Sequence, residues 1–217
     1  CVTSLGACNV PVDEWELDIV ASGSQKGYMI PPGLSFIAMS QKAWEAAEKS
    51  NLPKFYLNLK SYRKSLLTNS NPYTPAVNLV FALDEALKMM REEGLDNIFQ
   101  RHNKHKLAMS NAVKALNLKL FADEKYLSPS ITAIKTEGID AEEFRKTIKN
   151  NFDILLAGGQ DHLKGKIFRV GHLGYVNDRD IITVVSAMSN TLLKLGKISA
   201  QQAGEALVVA SRYLEEN

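Results

Sequence analysis

The chain has 217 residues, of which 45% are hydrophobic and 23% are charged, a composition typical of a globular protein with one large or two small domains. A formal net charge of +2, without a long basic run, gives no support for nucleic-acid binding. No apolar stretch approaches the roughly 20 residues of a membrane span and no signal peptide is visible, so we expect no membrane partner. Cys1 and Cys8 form no disulfide framework, which favours a reducing cytoplasm.

Two short apolar runs near the start, residues 17–21 and 34–39, have the length and composition of β-strands. The segment between them is rich in glycine, serine and proline, which predicts a sharply shaped loop. Lys26 stands in the middle of this loop, with no acidic residue nearby in the sequence. A lysine in such a loop is most often a solvated surface charge. A stiff loop that presents a single amine also suits a nucleophile that forms a Schiff base with a carbonyl.

Residues 22–33 read Ser-Gly-Ser-Gln-Lys-Gly-Tyr-Met-Ile-Pro-Pro-Gly. This segment resembles the lysine segment of the class V aminotransferases, especially the alanine–glyoxylate and serine–glyoxylate (serine–pyruvate) branch, in which it carries the lysine bound to pyridoxal phosphate. The sequence also looks like family members named soluble hydrogenase small subunit. The resemblance implies that Lys26 is the Schiff-base lysine, that Gln25 contacts the cofactor beside it, and that Val2 packs against the cofactor ring.

The chain starts in the middle of another segment of this family. Residues 1–6, Cys-Val-Thr-Ser-Leu-Gly, resemble the family's Asp-x-Val-x-Ser-Leu-Gly. The aspartate that pairs with the pyridine nitrogen of the cofactor would then immediately precede Cys1. We therefore expect this chain to be the C-terminal part of a longer enzyme, and we expect these residues alone to be inactive.

Residues 51–73 show no clear hydrophobic period, which predicts an irregular segment of the kind found at functional sites and interfaces. In the resembled family this stretch crosses to the partner subunit, which implies a homodimer. Its end, Asn-Pro-Tyr-Thr-Pro at 71–75, resembles the segment whose threonine reaches the cofactor phosphate of the other subunit. That role falls on Thr74, and Tyr73 stands in for the family's tyrosine. Capping of the next helix by Thr74 is an equally sensible alternative.

Apolar residues recur at helical spacing over residues 77–90 and again over 98–116, which predicts two long helices, the second capped by Asp96. His102 and His105 lie three residues apart on the second helix, so they could share a face. A zinc site would need further ligands at suitable spacing. The interleaved lysines favour a solvated face instead.

After residue 116 the pattern changes to alternating strands and helices. We predict strands at 131–134, 154–157 and 166–171, and helices at 140–152, 177–195 and 199–215. The predicted domains are 1–116, the remainder of a cofactor-binding large domain, and 117–217, a small α+β C-terminal domain. The fold class is α/β, and the resemblance implies the C-terminal part of a fold-type I PLP-dependent transferase.

Arg169 interrupts an apolar strand and lies on the same face as Ile167. The pattern alone favours an arginine on a solvent-facing side of the strand, although a planar guanidinium also suits bidentate binding of a carboxylate. Residues 166–174 resemble the family's Arg-x-Gly-x-x-Gly segment. The resemblance implies that Arg169 binds the substrate carboxylate.

Taken together, the resemblance implies transamination between a small amino acid (alanine or serine) and a 2-oxo acid (glyoxylate or pyruvate), with pyridoxal 5'-phosphate as cofactor. Two alternatives stay open. The first is a soluble hydrogenase (tritium-exchange) small subunit, for which two cysteines are fewer than the four thiolates of a usual iron–sulfur cluster. The second is a non-catalytic dimerising module of the same fold.

Overall fold

The computed structural model describes residues 1–215. A β-hairpin comes first, in which β1 (Ile19–Gly23) pairs antiparallel with β2 (Ser35–Met39). These strands are the two apolar runs predicted to flank the lysine loop, so that loop is the hairpin connection. Helix α1 (Gln41–Lys49) follows, and Ser40 caps it, as a serine before a helical segment predicts, because its Oγ accepts a hydrogen bond from the Ala43 N–H at 3.1 Å.

Three more helices follow the hairpin: α2 (Leu59–Leu66), α3 (Val77–Glu93) and α4 (Leu95–Ala115). The prediction of a wholly irregular stretch at 51–73 is wrong, because Asn58 caps α2 by accepting from the Lys60 N–H at 3.2 Å. The prediction that Asp96 caps α4 is also wrong. Asp96 lies inside the first turn, and Gly94, with φ of +82°, separates α3 from α4.

A second, four-stranded sheet lies in the C-terminal half. Its strands are β3 (Lys119–Leu120), β4 (Ile131–Lys135), β5 (Ala157–Gly158) and β6 (Ile167–Gly171), in the order β3-β4-β6-β5 with all neighbours antiparallel. The strand predicted at 154–157 is wrong over most of its length. Arg145 Nε donates to the Leu156 carbonyl at 2.8 Å, so this carbonyl bonds to a side chain rather than to a neighbouring strand.

Three helices cover this sheet together with α4: α5 (Ala141–Phe152), α6 (Asp178–Lys194) and α7 (Ala200–Glu215). The helix predicted at 140–152 is confirmed, and Asp140 caps it by accepting from two backbone N–H groups of the first turn. Asn177 and Asp180 form a reciprocal capping box at the start of α6. Each of these helices therefore begins where a polar side chain satisfies the free N–H groups of its first turn.

One apolar core joins the four-stranded sheet to the helices around it. Its fully buried members come from α4 and the residue after it, α5, α6, α7, β4 and β6, and include Met109, Val113, Leu116, Ile134, Phe144, Ile148, Phe168, Ile181, Met188, Leu192 and Ala210. Because α4 contributes to this core, the core reaches back before residue 117, and the division into domains 1–116 and 117–217 stays a prediction. Among residues 1–215, no helix is both long and apolar enough to cross a membrane.

Candidate active site

The loop that carries Lys26 is closed by its own hydrogen bonds. Ser24 is fully buried, and its hydroxyl donates to the Pro31 carbonyl at 2.8 Å and accepts from the Leu34 N–H at 3.1 Å. The Ser24 N–H bonds the Leu34 carbonyl at 3.1 Å, and the Ile30 N–H bonds the Ser24 carbonyl at 3.3 Å. A single serine therefore fixes both ends of the loop, which restricts where the Lys26 backbone can lie.

Residues 1–8 brace one side of this loop. A Cβ atom at Gly27 would lie 2.1 Å from the Leu5 carbonyl oxygen, so only glycine permits this approach of the two backbones. On the hairpin side, the Tyr28 ring packs against Phe36 with centroids 4.6 Å apart, and burial raises the pKa of the Tyr28 hydroxyl. The half-buried Lys26 thus stands on a loop supported from two directions.

The Lys26 amine is free of acidic neighbours. Within residues 1–215, no carboxylate forms an ion pair with Lys26. Gln25 is exposed beside it, with its side-chain oxygen 3.0 Å from where a Gly23 Cβ would lie. The Cys1 backbone nitrogen donates to the Ala21 carbonyl at 3.1 Å, so residues 1–2 lie beside β1, and Val2 is 45% exposed.

Thr74 and Tyr73 lie on the connection into α3. Thr74 is exposed, and the alternative that it caps α3 is wrong, because the cap position is Ala76 and no side chain caps that end. Tyr73 is occupied by packing: its hydroxyl donates to the Phe55 carbonyl at 3.1 Å and its ring lies 4.7 Å from that of Tyr56. The hydroxyl of Thr74 therefore stays available, whereas that of Tyr73 is used inside its own segment.

Large apolar side chains of residues 52–81 face solvent. Six of them are between 72% and 84% exposed: Leu52, Phe55, Leu57, Leu66, Leu67 and Phe81. We call this set the 52–81 apolar surface. Soluble monomers rarely expose apolar side chains at this density, so the surface indicates a binding interface.

Arg169 lies on β6, between Ala133 of β4 and Ala157 of β5. Its neighbours Phe168 and Val170 are buried, and Arg169 itself is half-buried, as the alternation predicts. Its Nε donates to the Gly158 carbonyl at 2.9 Å. None of the side chains that the structure describes pairs with its two terminal nitrogens, so the end of the guanidinium fork is left for a ligand.

The expectation that His102 and His105 line a solvated face is wrong, because both side chains are wholly buried. His102 Nε2 accepts from the Gly174 N–H at 3.2 Å, and His105 Nε2 donates to Asp178 at 2.9 Å. His172, equally buried, hydrogen-bonds Thr132 at 2.9 Å. Burial lowers the pKa of all three imidazoles, that of His172 to about 4.

The interleaved lysines gave a misleading signal about this helix face. Lys104 is only 17% exposed because its amine turns inward to Asp178 at 3.0 Å. The turn after β6 covers α4 at this point, a tertiary contact that periodicity does not report. Arg101 and Gly174, which sequence reasoning did not single out, also meet here, with Arg101 Nη1 bonded to the Gly174 carbonyl at 2.9 Å.

A cleft of 730 Å³ opens beside this contact. It is lined by Met29 of the lysine loop, the end of α3, Arg101 and Lys104 of α4, and residues 175–179. The described residues that line this cleft include neither Lys26 nor Arg169. No group of three His, Cys, Asp or Glu side chains within residues 1–215 is placed to hold a metal ion.

Comparisons with known proteins show which family the chain resembles. The family model described as Aminotransferase class-V matches residues 1–181. A soluble hydrogenase small subunit from Synechococcus sp. is 56% identical over 98% of this chain and 55% of its own length. A serine–glyoxylate aminotransferase from Methylorubrum extorquens is 36% identical over 100% of this chain and 55% of its own length.

A solved structure gives the same result. The ureidoglycine–glyoxylate aminotransferase from Bacillus subtilis superposes with a TM-score of 0.89 at 30% identity, over 97% of this chain and 56% of that one. The chain thus spans about half the length of the relatives it matches. Because the family model matches residues 1–181 and the fold is shared over 97% of the sequence, this chain belongs to the class V aminotransferase family.

Proposed function

We propose that these residues are part of a pyridoxal-phosphate-dependent aminotransferase that moves an amino group between alanine or serine and glyoxylate or pyruvate. The observation that carries the proposal is the Lys26 amine, presented on a loop that Ser24 closes and left without a carboxylate partner among residues 1–215. Two relatives that cover nearly all of this chain are named as glyoxylate aminotransferases, which supports the acceptor. The free cysteines support a cytoplasmic location.

The residues around Lys26 fit the cofactor. An amine that is not paired with a carboxylate can act as the nucleophile that adds to an aldehyde carbon. When bound, pyridoxal phosphate supplies an electron sink for the electrons of the substrate Cα–H bond. Lys26 then serves as general base and acid, taking the proton from the substrate Cα and holding it at Nζ. Gln25, next to Lys26 in the loop, and Val2, close to β1, would border the ring.

Arg169 would orient the substrate. Its terminal nitrogens match the two oxygens of a carboxylate, and its Nε bond to Gly158 fixes the side chain on the sheet. Gly174, which lies against the lysine loop, is five positions after Arg169 in the sequence, so the two Cα atoms lie at most about 17 Å apart. The strand that carries Arg169 therefore ends close to the loop that carries the Lys26 amine.

The 52–81 apolar surface supports a homodimer. A second copy would cover these side chains, and the exposed Thr74 at the end of this segment would reach the cofactor phosphate of that copy. Hydroxyl groups and backbone N–H groups are usual phosphate donors. In this arrangement each site draws its lysine from one subunit and its threonine from the other.

The experiment is a substrate panel on the whole protein supplied with pyridoxal phosphate. Alanine, serine and aspartate are paired with glyoxylate, pyruvate and 2-oxoglutarate, and the product amino acid is quantified. The proposal expects transfer from alanine or serine to glyoxylate or pyruvate, with the other pairs slower. No transfer with any pair would overturn it.

A second candidate is a soluble hydrogenase subunit, favoured by the name of the Synechococcus relative. The chain offers two cysteines, so a four-thiolate cluster would need ligands from elsewhere in the assembly. Stoichiometric iron in the purified whole protein, together with hydrogen uptake, would favour this candidate. Amino transfer without iron would favour the first.

A further inference from the structure

Two side chains from one turn of α4 hydrogen-bond the backbone of the turn between β6 and α6. Arg101 Nη1 donates to the Gly174 carbonyl at 2.9 Å and to the Val176 carbonyl at 3.0 Å. His102 Nε2 accepts the Gly174 N–H at 3.2 Å. Two adjacent residues of one helix thus satisfy both polar backbone groups of Gly174, 72 and 73 positions away in sequence.

Both of these side chains are themselves fixed. His102 Nδ1 donates to the Ile98 carbonyl at 2.8 Å, which leaves Nε2 as the acceptor that Gly174 requires. Arg101 Nε and Nη2 bind the two carboxylate oxygens of Glu93, the second at 2.9 Å. Because His102 is wholly buried and Arg101 is 19% exposed, water cannot readily replace these bonds.

Gly174 in turn contacts the lysine loop. It has φ of +82°, and a Cβ there would lie 3.2 Å from Met29 Cγ and 3.5 Å from the Lys26 carbonyl oxygen. On the other side of the loop, Gly27 lies against Leu5. The lysine loop is therefore enclosed between residues 1–8 and the turn that Arg101 and His102 hold.

We propose that Arg101 and His102 are positioning residues for Lys26, acting through the backbone of Gly174. Neither touches Lys26. They fix the distance between this turn and the lysine loop. The same turn follows directly on β6, the strand that carries Arg169. The catalytic consequence rests on the role proposed for Lys26, whereas the mechanical consequence can be measured without it.

The test uses the whole protein and two readouts, hydrogen exchange of residues 24–31 and steady-state kinetics. Arg101→Lys keeps the charge but loses the fork, so exchange at the Met29 and Ile30 amides should rise about tenfold. The kcat should fall about 10- to 100-fold, with a smaller change in KM, because a misplaced amine costs chemistry more than binding. The same readouts should move in the same direction in His102→Leu.

The matched control is Arg145→Lys. Arg145 is also part-buried and also bonds a backbone carbonyl and a glutamate, Leu156 and Glu142, but away from the lysine loop. It should leave exchange at residues 24–31 unchanged. A second pair avoids the arginines: Gly174→Ala should reproduce the effect, and Gly138→Ala, with a similar φ of +75° and open space around it, should not.

Unchanged exchange of residues 24–31 in Arg101→Lys and Gly174→Ala would overturn the proposal. Faster exchange with unchanged kcat would overturn its catalytic part. Failure of the proposed function has a different signature, because the unsubstituted protein would then show no amino transfer while the exchange measurement still decides whether the turn holds the loop.

Discussion

The N-terminal and C-terminal parts of this chain are stabilised in different ways. Within residues 1–81, the buried apolar side chains are Ala7, Val20, Ile30 and Ala43, all but Ile30 of modest size. The C-terminal part buries a continuous core that includes Phe144, Phe168 and Met188. The lysine loop lies in the part with little core of its own.

The difference shows which contacts within this chain hold the lysine loop in place. The lysine loop relies on the hydrogen bonds of Ser24, on a glycine contact to residues 1–8, and on the turn anchored to α4. Its shape is local, but its position depends on the C-terminal core. Changes in the lysine loop, or in the residues that position it or bind substrate, should therefore affect chemistry, whereas changes in the C-terminal apolar core should affect stability.

The largest expected effect is on chemistry alone. Lys26→Arg keeps a positive charge but removes the amine, so amino transfer by the whole protein should fall about 10³-fold or more. The melting temperature should stay close to that of the unsubstituted protein, since Lys26 contributes no ion pair among the described residues. The control Lys42→Arg, in a surface ion pair with Asp18, should keep full activity. Retained amino transfer in Lys26→Arg would show that the lysine loop does not carry the chemistry.

The next effect is on stability and depends on pH. Burial, together with the charges of the nearby His105 and His102, lowers the pKa of His172 to about 4, below the roughly 6.5 of an unfolded histidine. The contribution of neutral His172 to the free energy of unfolding is therefore fully present above pH 6.5 and is lost as the pH falls towards 4. The cost is about 3 kcal/mol of unfolding free energy.

Denaturant unfolding between pH 7 and pH 4 measures this loss. His172→Gln, which cannot take up the proton, should flatten the pH dependence at the cost of some stability at pH 7. An equally steep acid loss in that variant would assign the titration to other groups.

A smaller effect concerns substrate binding. Arg169→Lys replaces a two-pronged donor with a point charge, so kcat/KM should fall about 10- to 100-fold, in line with roughly 1.5–3 kcal/mol for hydrogen bonds to charged groups. Most of the change should appear in KM for the amino acid. The exposed Arg212→Lys on α7 is the control. An unchanged KM would remove Arg169 from the substrate site.

The smallest effect is local to the C-terminal part. Asp140→Ala removes the acceptor for the Glu142 and Glu143 N–H groups at the start of α5, which should cost about 1 kcal/mol of unfolding free energy. Asp140→Asn should recover most of it, because asparagine also caps well. Thermal denaturation compares the two, and equal losses would mean that the carboxylate charge matters more than the cap.

Much of the fold could be predicted from the sequence where the signals are local. The hairpin strands, the caps at Ser40 and Asp140, and the strand around Arg169 follow from short patterns of apolar, polar and glycine residues. The helix α2 escaped prediction because its buried face is small, with no residue fully covered. Aromatic packing of Tyr73 with Tyr56 and Phe55 holds that segment, and such packing has no period.

The candidate site divides in the same way. Lys26 and Arg169 stand in recognisable segments, so the sequence alone indicated them. Arg101, His102 and Gly174 could not be found, because their meeting depends on how the turn after β6 lies across α4. The two histidines were assigned to solvent because lysines flank them, and a flanking charge that turns inward, as Lys104 does, cannot be told from an outward one by spacing.

The most direct test of the central claim is borohydride reduction in the presence of pyridoxal phosphate, followed by peptide mapping. The account predicts label on Lys26 in the whole protein, no label in its Lys26→Arg variant, and little label on the 217-residue chain alone. Absence of label on Lys26 in the whole protein, or label at another lysine instead, would contradict it.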